Sequence, residues 1–184
     1  MIRNFIKYTI LLCAFPAISM AAEPAPTNDT RLTIGAPVYV THPHNRGGSK
    51  GWNEGWFNNE GLMADVTWPE WQVNNSTNVR IGLTGGVFDN SVYKTSVFVG
   101  GVIELETRAT ENIALSVGTY AGGITGYDYA VSPAIAPYLG ASYLVTESLE
   151  IGARGYWLPS KTLAGSSISP SDSYVGAITL GTRF

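Results

Sequence analysis

Residues 173–184 constrain the fold most, because their side chains alternate between two kinds of face. Every second residue from Tyr174 to Phe184 is mostly apolar, and the residues between them are smaller or more polar. A period of two is typical of a β-strand with one apolar face. At about 3.3 Å per residue and a tilt near 45°, the two aromatic residues would stand about 23 Å apart across a bilayer. The segment therefore predicts a membrane-crossing strand with an aromatic residue near each surface.

The first 22 residues have the layout of a secretory signal peptide. Arg3 and Lys7 precede an apolar run, and small residues suited to cleavage follow it. The run is too short to span a bilayer. We therefore expect residues 1–22 to be removed and residues 23–184 to form a single domain.

Composition narrows the function classes open to residues 23–184. All 14 acidic residues of the chain lie there, whereas two of the 11 basic residues lie in the leader. The remaining chain is therefore acidic, which argues against a nucleic-acid partner. Cys13, the single cysteine, also lies in the leader, so we expect no disulfide, thiol chemistry or cysteine metal site. The 21 glycines and ten tyrosines of the chain, of which only Tyr8 lies in the leader, fit a lipid-exposed barrel, although a soluble β-sandwich is the alternative on composition alone.

Eight segments carry the alternation of barrel strands, and no segment beyond the leader offers the roughly 18 consecutive apolar residues of a transmembrane helix. Short turns near 72–77, 109–112 and 146–148 alternate with longer loops. The sequence therefore predicts an all-β fold, an eight-stranded antiparallel transmembrane β-barrel of the bacterial outer-membrane type. The strands are expected at residues 31–42, 61–71, 78–88, 92–108, 113–123, 132–145, 149–158 and 173–184.

Charged side chains fall on one face of their strands, and this face must be the barrel interior. We expect them to form a network that plugs a bore too narrow for a channel, which disfavours a pore. The predicted network contains Arg80, Glu104, Glu106, Arg108, Glu150 and Arg154.

Six short motifs follow one another along the chain. They are Pro37–His42, Phe88–Ser91, Glu106–Arg108, Ala121–Thr125, Pro133–Pro137 and Tyr156–Pro159. In order and spacing this set resembles the lipid A palmitoyltransferase (PagP) family, and the resemblance covers most of the chain beyond the leader. That family consists of eight-stranded outer-membrane barrels that move an acyl chain from a phospholipid to lipid A.

The resemblance implies a catalytic site at the outer end of the barrel. His42 follows a proline by five residues, as the family's motif histidine does, and would act as general base on the acceptor hydroxyl. Ser91 matches the serine of the family's Asp-Ser pair and would help to hold the oxyanion, while Asn90 stands in the place of the aspartate. No cofactor or metal is implied.

The resemblance also implies an acyl pocket and a lateral route into it. Val102 aligns with a glycine that helps to set acyl length in the family, so it would form the pocket floor and favour a chain shorter than palmitate. Prolines cannot donate to a strand ladder, and the strands beside them would separate enough to admit lipid. The prolines of this lateral gate are Pro37, Pro133, Pro137 and Pro159.

The sequence leads to two hypotheses about function, which belong to different classes. The first is a PagP-like acyltransferase with a phospholipid donor and a lipid A acceptor. The alternative is a non-catalytic small outer-membrane barrel for adhesion, exclusion or membrane integrity. A lipid A deacylase is a third hypothesis, although we find no strand with a His-x-Ser pair of the kind expected in such a barrel.

Outer-membrane lipids and the barrel assembly machinery are the other expected partners. The alternating strand that ends in Phe184 resembles the C-terminal assembly signal of bacterial outer-membrane proteins.

Overall fold

The computed structural model contains nine β-strands among the residues that it describes. The structure describes residues 30–41, 55–56, 60–89, 94–126, 130–159 and 172–184. In these ranges, no helix is long and apolar enough to cross a membrane. The strands are β1 (Arg31–Thr41), β2 (Gly55–Trp56), β3 (Gly61–Asn74), β4 (Thr77–Asp89), β5 (Thr95–Arg108), β6 (Ile113–Ile124), β7 (Ser132–Leu144), β8 (Leu149–Leu158) and β9 (Ser173–Arg183).

Eight long strands close into one antiparallel barrel. Consecutive strands from β3 to β9 pair with one another, and β1 pairs with both β3 and β9. At the closure, Thr30 and Phe184 exchange two backbone hydrogen bonds with N–O distances of 2.9 Å. A closed barrel satisfies its backbone groups between strands, which is what allows strands to cross lipid. The predicted fold is therefore confirmed, and no predicted boundary of these strands differs from the observed one by more than three residues.

The two-residue strand β2 is an addition that the sequence did not predict. It pairs with Tyr39 and Val40 of β1, beyond the point where the pairing of β1 with β3 has stopped at Gly35. The sequence pattern predicts a long loop over the residues of β2. Two residues are too few to show an alternation, so only the neighbouring strand determines this pairing.

Three tight turns share one end of the barrel, which we call the turn end. Asn74 Oδ1 accepts a hydrogen bond from the Ser76 backbone N–H at 2.9 Å. Thr110 Oγ1 and Thr146 Oγ1 each accept a backbone N–H bond from the residue three positions later, at 3.0 Å in both cases. Turns of this kind are short enough to belong to the periplasmic side. The opposite end, the loop end, carries connections that lie partly outside the described residues.

The outer surface of the barrel is apolar. Leu83, Val99 and Ile178 are exposed by 67%, 65% and 59%, as expected of side chains that contact lipid rather than a protein core. Exposed aromatic residues stand near both ends, with Trp71 toward the turn end and Tyr174 toward the loop end. This arrangement matches the aromatic girdles of membrane barrels.

Candidate functional site

The half of the interior nearer the turn end is filled by charged side chains, which we call the plug. They come from β1, β3, β4, β5, β8 and β9, and all are buried. Among the described residues, four members of the plug are acidic and four are arginines, so their formal charges balance. The plug residues are Arg31, Asp65, Arg80, Glu104, Glu106, Glu150, Arg154 and Arg183.

Arg31 joins three carboxylates at the centre of the plug. Its guanidinium donates hydrogen bonds to Glu104 and Glu106, and its Nε lies 3.7 Å from Glu150 Oε1. Glu104 and Glu106 point inward together because side chains two positions apart share a strand face. The strand geometry of β5 therefore places two anions opposite one cation.

Two further arginines lie beside the carboxylates that Arg31 contacts. Arg183 donates to Glu150 at 2.8 Å and to Glu106 at 3.0 Å. Arg80 is fully buried, donates to the Thr67 hydroxyl at 3.3 Å, and lies 3.9 Å from Glu106. A buried charge is costly unless it is paired and hydrogen-bonded. This network gives each of these arginines at least one carboxylate.

Asp65 extends the network toward the loop end. Its carboxylate accepts hydrogen bonds from the Tyr120 hydroxyl at 2.6 Å and from the Thr84 hydroxyl at 2.7 Å. Arg154 donates to Asp65 and also to the Tyr120 hydroxyl. Both oxygens of this buried carboxylate are therefore occupied.

Three buried tyrosines form a layer on the plug. The ring centroid of Tyr120 lies 4.9 Å from that of Tyr138 and 5.6 Å from that of Tyr156. Tyr138 donates to Glu104, and the Arg154 guanidinium lies 5.0 Å from the Tyr138 ring centroid. The layer thus has a polar side toward the plug and an apolar side toward the loop end.

Beyond the tyrosine layer the interior becomes an apolar cavity of about 90 Å³. Tyr120 and Tyr156 border it on the side of the plug. Interiors of membrane barrels are usually polar, so an apolar lining is unexpected. The rest of the lining includes Met63, Phe88, Phe98, Ile124, Ala134 and Val175.

Two interruptions of the strand ladder adjoin this cavity. The first is the end of the pairing between β1 and β3, which in the described chain stops at Gly35 and Met63. Close to it, the pairing of β1 with β9 shifts register between Pro37 and Tyr39. Pro37 and Met63 both line the cavity. The first interruption therefore lies in the cavity wall.

The second interruption lies between β7 and β8. Their described pairing ends at Tyr138 and Tyr156, although β7 begins six residues earlier and β8 continues to Leu158. Pro137, which has no N–H to donate, is the first β7 residue beyond the paired region. Ala136 and Leu158 line the cavity on the two sides of this interruption.

The remaining gate prolines differ in their surroundings. Pro133 is exposed on β7, and Pro159 is half-buried directly after β8. The gate role of the four prolines stays a prediction.

The predicted catalytic residues His42, Asn90 and Ser91 lie outside the described residues, so their roles stay predictions. Val102 is buried in one cluster with Phe98 and Tyr120. It pairs with Tyr120 across the ladder, at the depth of the tyrosine layer, and the cavity lining does not include it. Its role as a pocket floor also stays a prediction.

Sequence reasoning found five of the plug residues and missed Arg31, Asp65 and Arg183. All three lie on the inward face of their strands, so the alternation used for β4, β5 and β8 could have found them. Arg108, which was predicted to join the network, is half-buried at the end of β5. Alternation alone does not reveal the apolar cavity, because its lining comes from many strands whose register the sequence does not give.

Comparison with known proteins identifies solved structures that have a similar fold. No protein-family model matches the sequence, and no curated protein matches it. Neisserial surface protein A (NspA) has 13% identity and a TM-score of 0.55, over 84% of this chain and 95% of that one. Ail, the attachment invasion locus protein of Yersinia pestis, has 17% identity and a TM-score of 0.50, over 86% of this chain and 100% of that one. A designed transmembrane β-barrel has 14% identity and a TM-score of 0.52, over 88% of this chain and 99% of that one.

These comparisons correct one expectation. The similar structures are NspA, Ail and a designed barrel rather than a lipid A palmitoyltransferase, so the resemblance to the PagP family is wrong. The strands of membrane barrels share an alternation of apolar and polar residues, and proline is tolerated where the strand ladder is interrupted. Six such motifs can therefore occur in the same order without a family relationship.

The location is the bacterial outer membrane. A closed antiparallel barrel with an apolar outer face spans lipid, and the similar natural structures are outer-membrane barrels. Membrane lipids therefore surround the chain. The phospholipid donor, the lipid A acceptor and the assembly machinery stay predictions.

Proposed function

We propose that this chain is a non-catalytic, non-conducting outer-membrane barrel that supports the integrity of the membrane. The observation that carries the proposal is the plug, in which four carboxylates and four arginines fill half of the bore. A protein that only has to seal and reinforce the membrane needs a stable wall and a closed interior, and both are present.

The plug argues against conduction. An eight-stranded barrel has an interior just wide enough for side chains to fill. The ion pairs of Arg31 and Arg183 cross this interior and link β1 and β9 to β5 and β8. A hydrated ion would have to break these pairs, and breaking a buried pair costs about 3–5 kcal/mol.

The polar groups of the interior also argue against catalysis there. Both oxygens of Asp65 accept hydrogen bonds, and the hydroxyl of Tyr120, a residue that borders the cavity, is held by Asp65 and Arg154. These groups stabilise one another instead of pointing a base or a nucleophile into the cavity. The predicted catalytic residues lie outside the described residues, so catalysis is measured directly.

The test compares a bacterial strain lacking this chain with the same strain carrying the wild-type chain, Glu106→Gln or Glu111→Gln. Entry of a fluorescent apolar dye would report membrane integrity, and mass spectrometry would report lipid A. We expect faster dye entry without the chain, recovery with the wild type and with Glu111→Gln, and incomplete recovery with Glu106→Gln. Lipid A should have the same mass in all strains. Equal dye entry with and without the chain, or an added acyl mass, would overturn the proposal.

A further inference from the structure

We infer that the apolar cavity binds one small uncharged hydrocarbon group, with the size of a single aromatic ring or a short alkyl segment. This inference goes beyond the proposed function, which rests on the plug. It depends on the lining, the size and the surroundings of the cavity.

The lining selects an apolar ligand. Phe98, Ile124 and Ala134 are buried, and Met63, Phe88 and Val175 pack against the same cluster. These side chains stand on the inward face of a membrane barrel, where polar residues are usual. Apolar walls around an interior space gain free energy when a hydrocarbon rather than water fills that space.

The floor of the cavity disfavours a charged ligand. The Tyr120 hydroxyl donates to Asp65 and accepts from Arg154, so it is committed to the plug. The arginines of the plug are paired with its own carboxylates. Ser173 adds a hydroxyl to the lining, but one hydroxyl cannot replace the hydration that a charged ligand would lose here, so binding a charge would be costly.

The volume limits the size of the ligand. The cavity measures about 90 Å³. An engineered apolar protein cavity of about 150 Å³ binds benzene, so this one should accept at most one ring or a few methylene groups.

The two ladder interruptions offer a route from the bilayer. Ala136 and Leu158 line the cavity on either side of the β7–β8 interruption, as Pro37 and Met63 do at the β1–β3 interruption. Because β2 pairs with Tyr39 and Val40, the β1–β3 interruption is limited to residues 36–38 of β1. A free apolar solute and the end of a lipid chain have the same chemistry at these positions. The experiment has to distinguish these two sources.

Met63 provides the probe, since it is the one methionine beyond residue 22 and it lines the cavity. The full barrel would be labelled with ¹³C at its methionine methyl groups and placed in lipid nanodiscs. In one arm the lipid chains are deuterated and toluene is added; in the other the chains are protonated and no solute is added. Nuclear Overhauser contacts from the Met63 methyl group are measured in both arms.

Two variants test whether the contact arises inside the cavity. Ala134→Leu and Ala136→Leu would each fill part of the space, whereas Ala121→Leu adds the same atoms on the exposed face. Electrophoretic mobility of unheated samples would show that each variant is folded. If one cavity variant does not fold, the other still gives the test.

We expect a contact between Met63 and toluene that falls to background in the cavity variants and is kept in Ala121→Leu. A contact with protonated lipid chains instead, with the same dependence on the variants, would support the site and assign the ligand to the bilayer. Contact with neither hydrocarbon, or a contact unchanged by both cavity variants, would overturn the inference.

Discussion

Glu106 faces three of the four arginines of the plug. It accepts hydrogen bonds from Arg31 and Arg183 and lies 3.9 Å from Arg80. Glu106→Gln would remove the charge that three buried guanidinium groups share. We expect the free energy of unfolding to fall by about 3–5 kcal/mol, measured by urea titration in lipid vesicles.

Glu111→Gln is the matched control, because Glu111 is exposed at the β5–β6 turn. Its unfolding free energy should stay within about 0.5 kcal/mol of wild type. Similar losses in the two variants would show that the plug adds nothing beyond overall charge.

Tyr120 links the plug to the tyrosine layer through one hydroxyl. Tyr120→Phe keeps the ring and removes the donor to Asp65, which leaves a buried carboxylate with one partner fewer. We expect a loss of about 1–3 kcal/mol in the same titration. Tyr143→Phe, on the exposed face, should change the free energy of unfolding little. A Tyr120→Phe barrel as stable as wild type would contradict the role given to this hydroxyl.

At the scale of the element, Gly100 shows how closely β5 and β6 approach. A Cβ atom at Gly100 would lie 2.3 Å from the Ala121 carbonyl oxygen and 2.8 Å from the Gly122 Cα. These are backbone atoms and cannot rotate away, so Gly100→Ala should cost about 1–3 kcal/mol. Gly155→Ala is the control, because a Cβ there meets nothing within 4 Å. Equal stability of the two variants, measured by urea titration, would contradict the packing of these strands.

The outward strand faces predict an effect that depends on depth. Leu83 lies in the middle of β4, whereas Val73 lies near the turn end of β3, and both are well exposed. An arginine at the bilayer midplane costs about 2–4 kcal/mol, against about 0–1 kcal/mol near the interface. We therefore expect Leu83→Arg to destabilise the barrel much more than Val73→Arg in vesicle unfolding measurements. A reversed order would show that the membrane crosses the strands at another height.

The sequence predicts the strands well because the membrane imposes two different faces on each of them. Alternation is enough to locate β4 and β5 and to assign Arg80 and Glu104 to the inward face. It could not locate β2, whose two residues are held by β1. The prolines indicated weakened strand pairing beside Pro37 and Pro137, but which neighbouring strand separates there depends on the register, which the sequence does not give. Motif order led to the wrong family, because barrels share strand requirements whether or not they are related.

At the scale of the whole molecule, the interior has two halves with different chemistry. The turn-end half is closed by paired charges, and the half beyond the tyrosine layer holds an apolar cavity. The closed half would account for the proposed sealing, and the apolar half would accept a ligand without opening a path through the barrel. The predicted catalytic residues His42, Asn90 and Ser91 lie outside the described residues, so their roles stay predictions.

Electrical conductance of the purified barrel in a planar lipid bilayer tests the central claim most directly. The plug predicts no stepwise currents from the wild-type chain under conditions in which a control porin, inserted into the same bilayer, conducts. Insertion of the barrel would be verified by recovering folded protein from the bilayer lipid. Discrete, reproducible current steps from the folded wild-type barrel would contradict the claim, because they would show a continuous aqueous path through the plug.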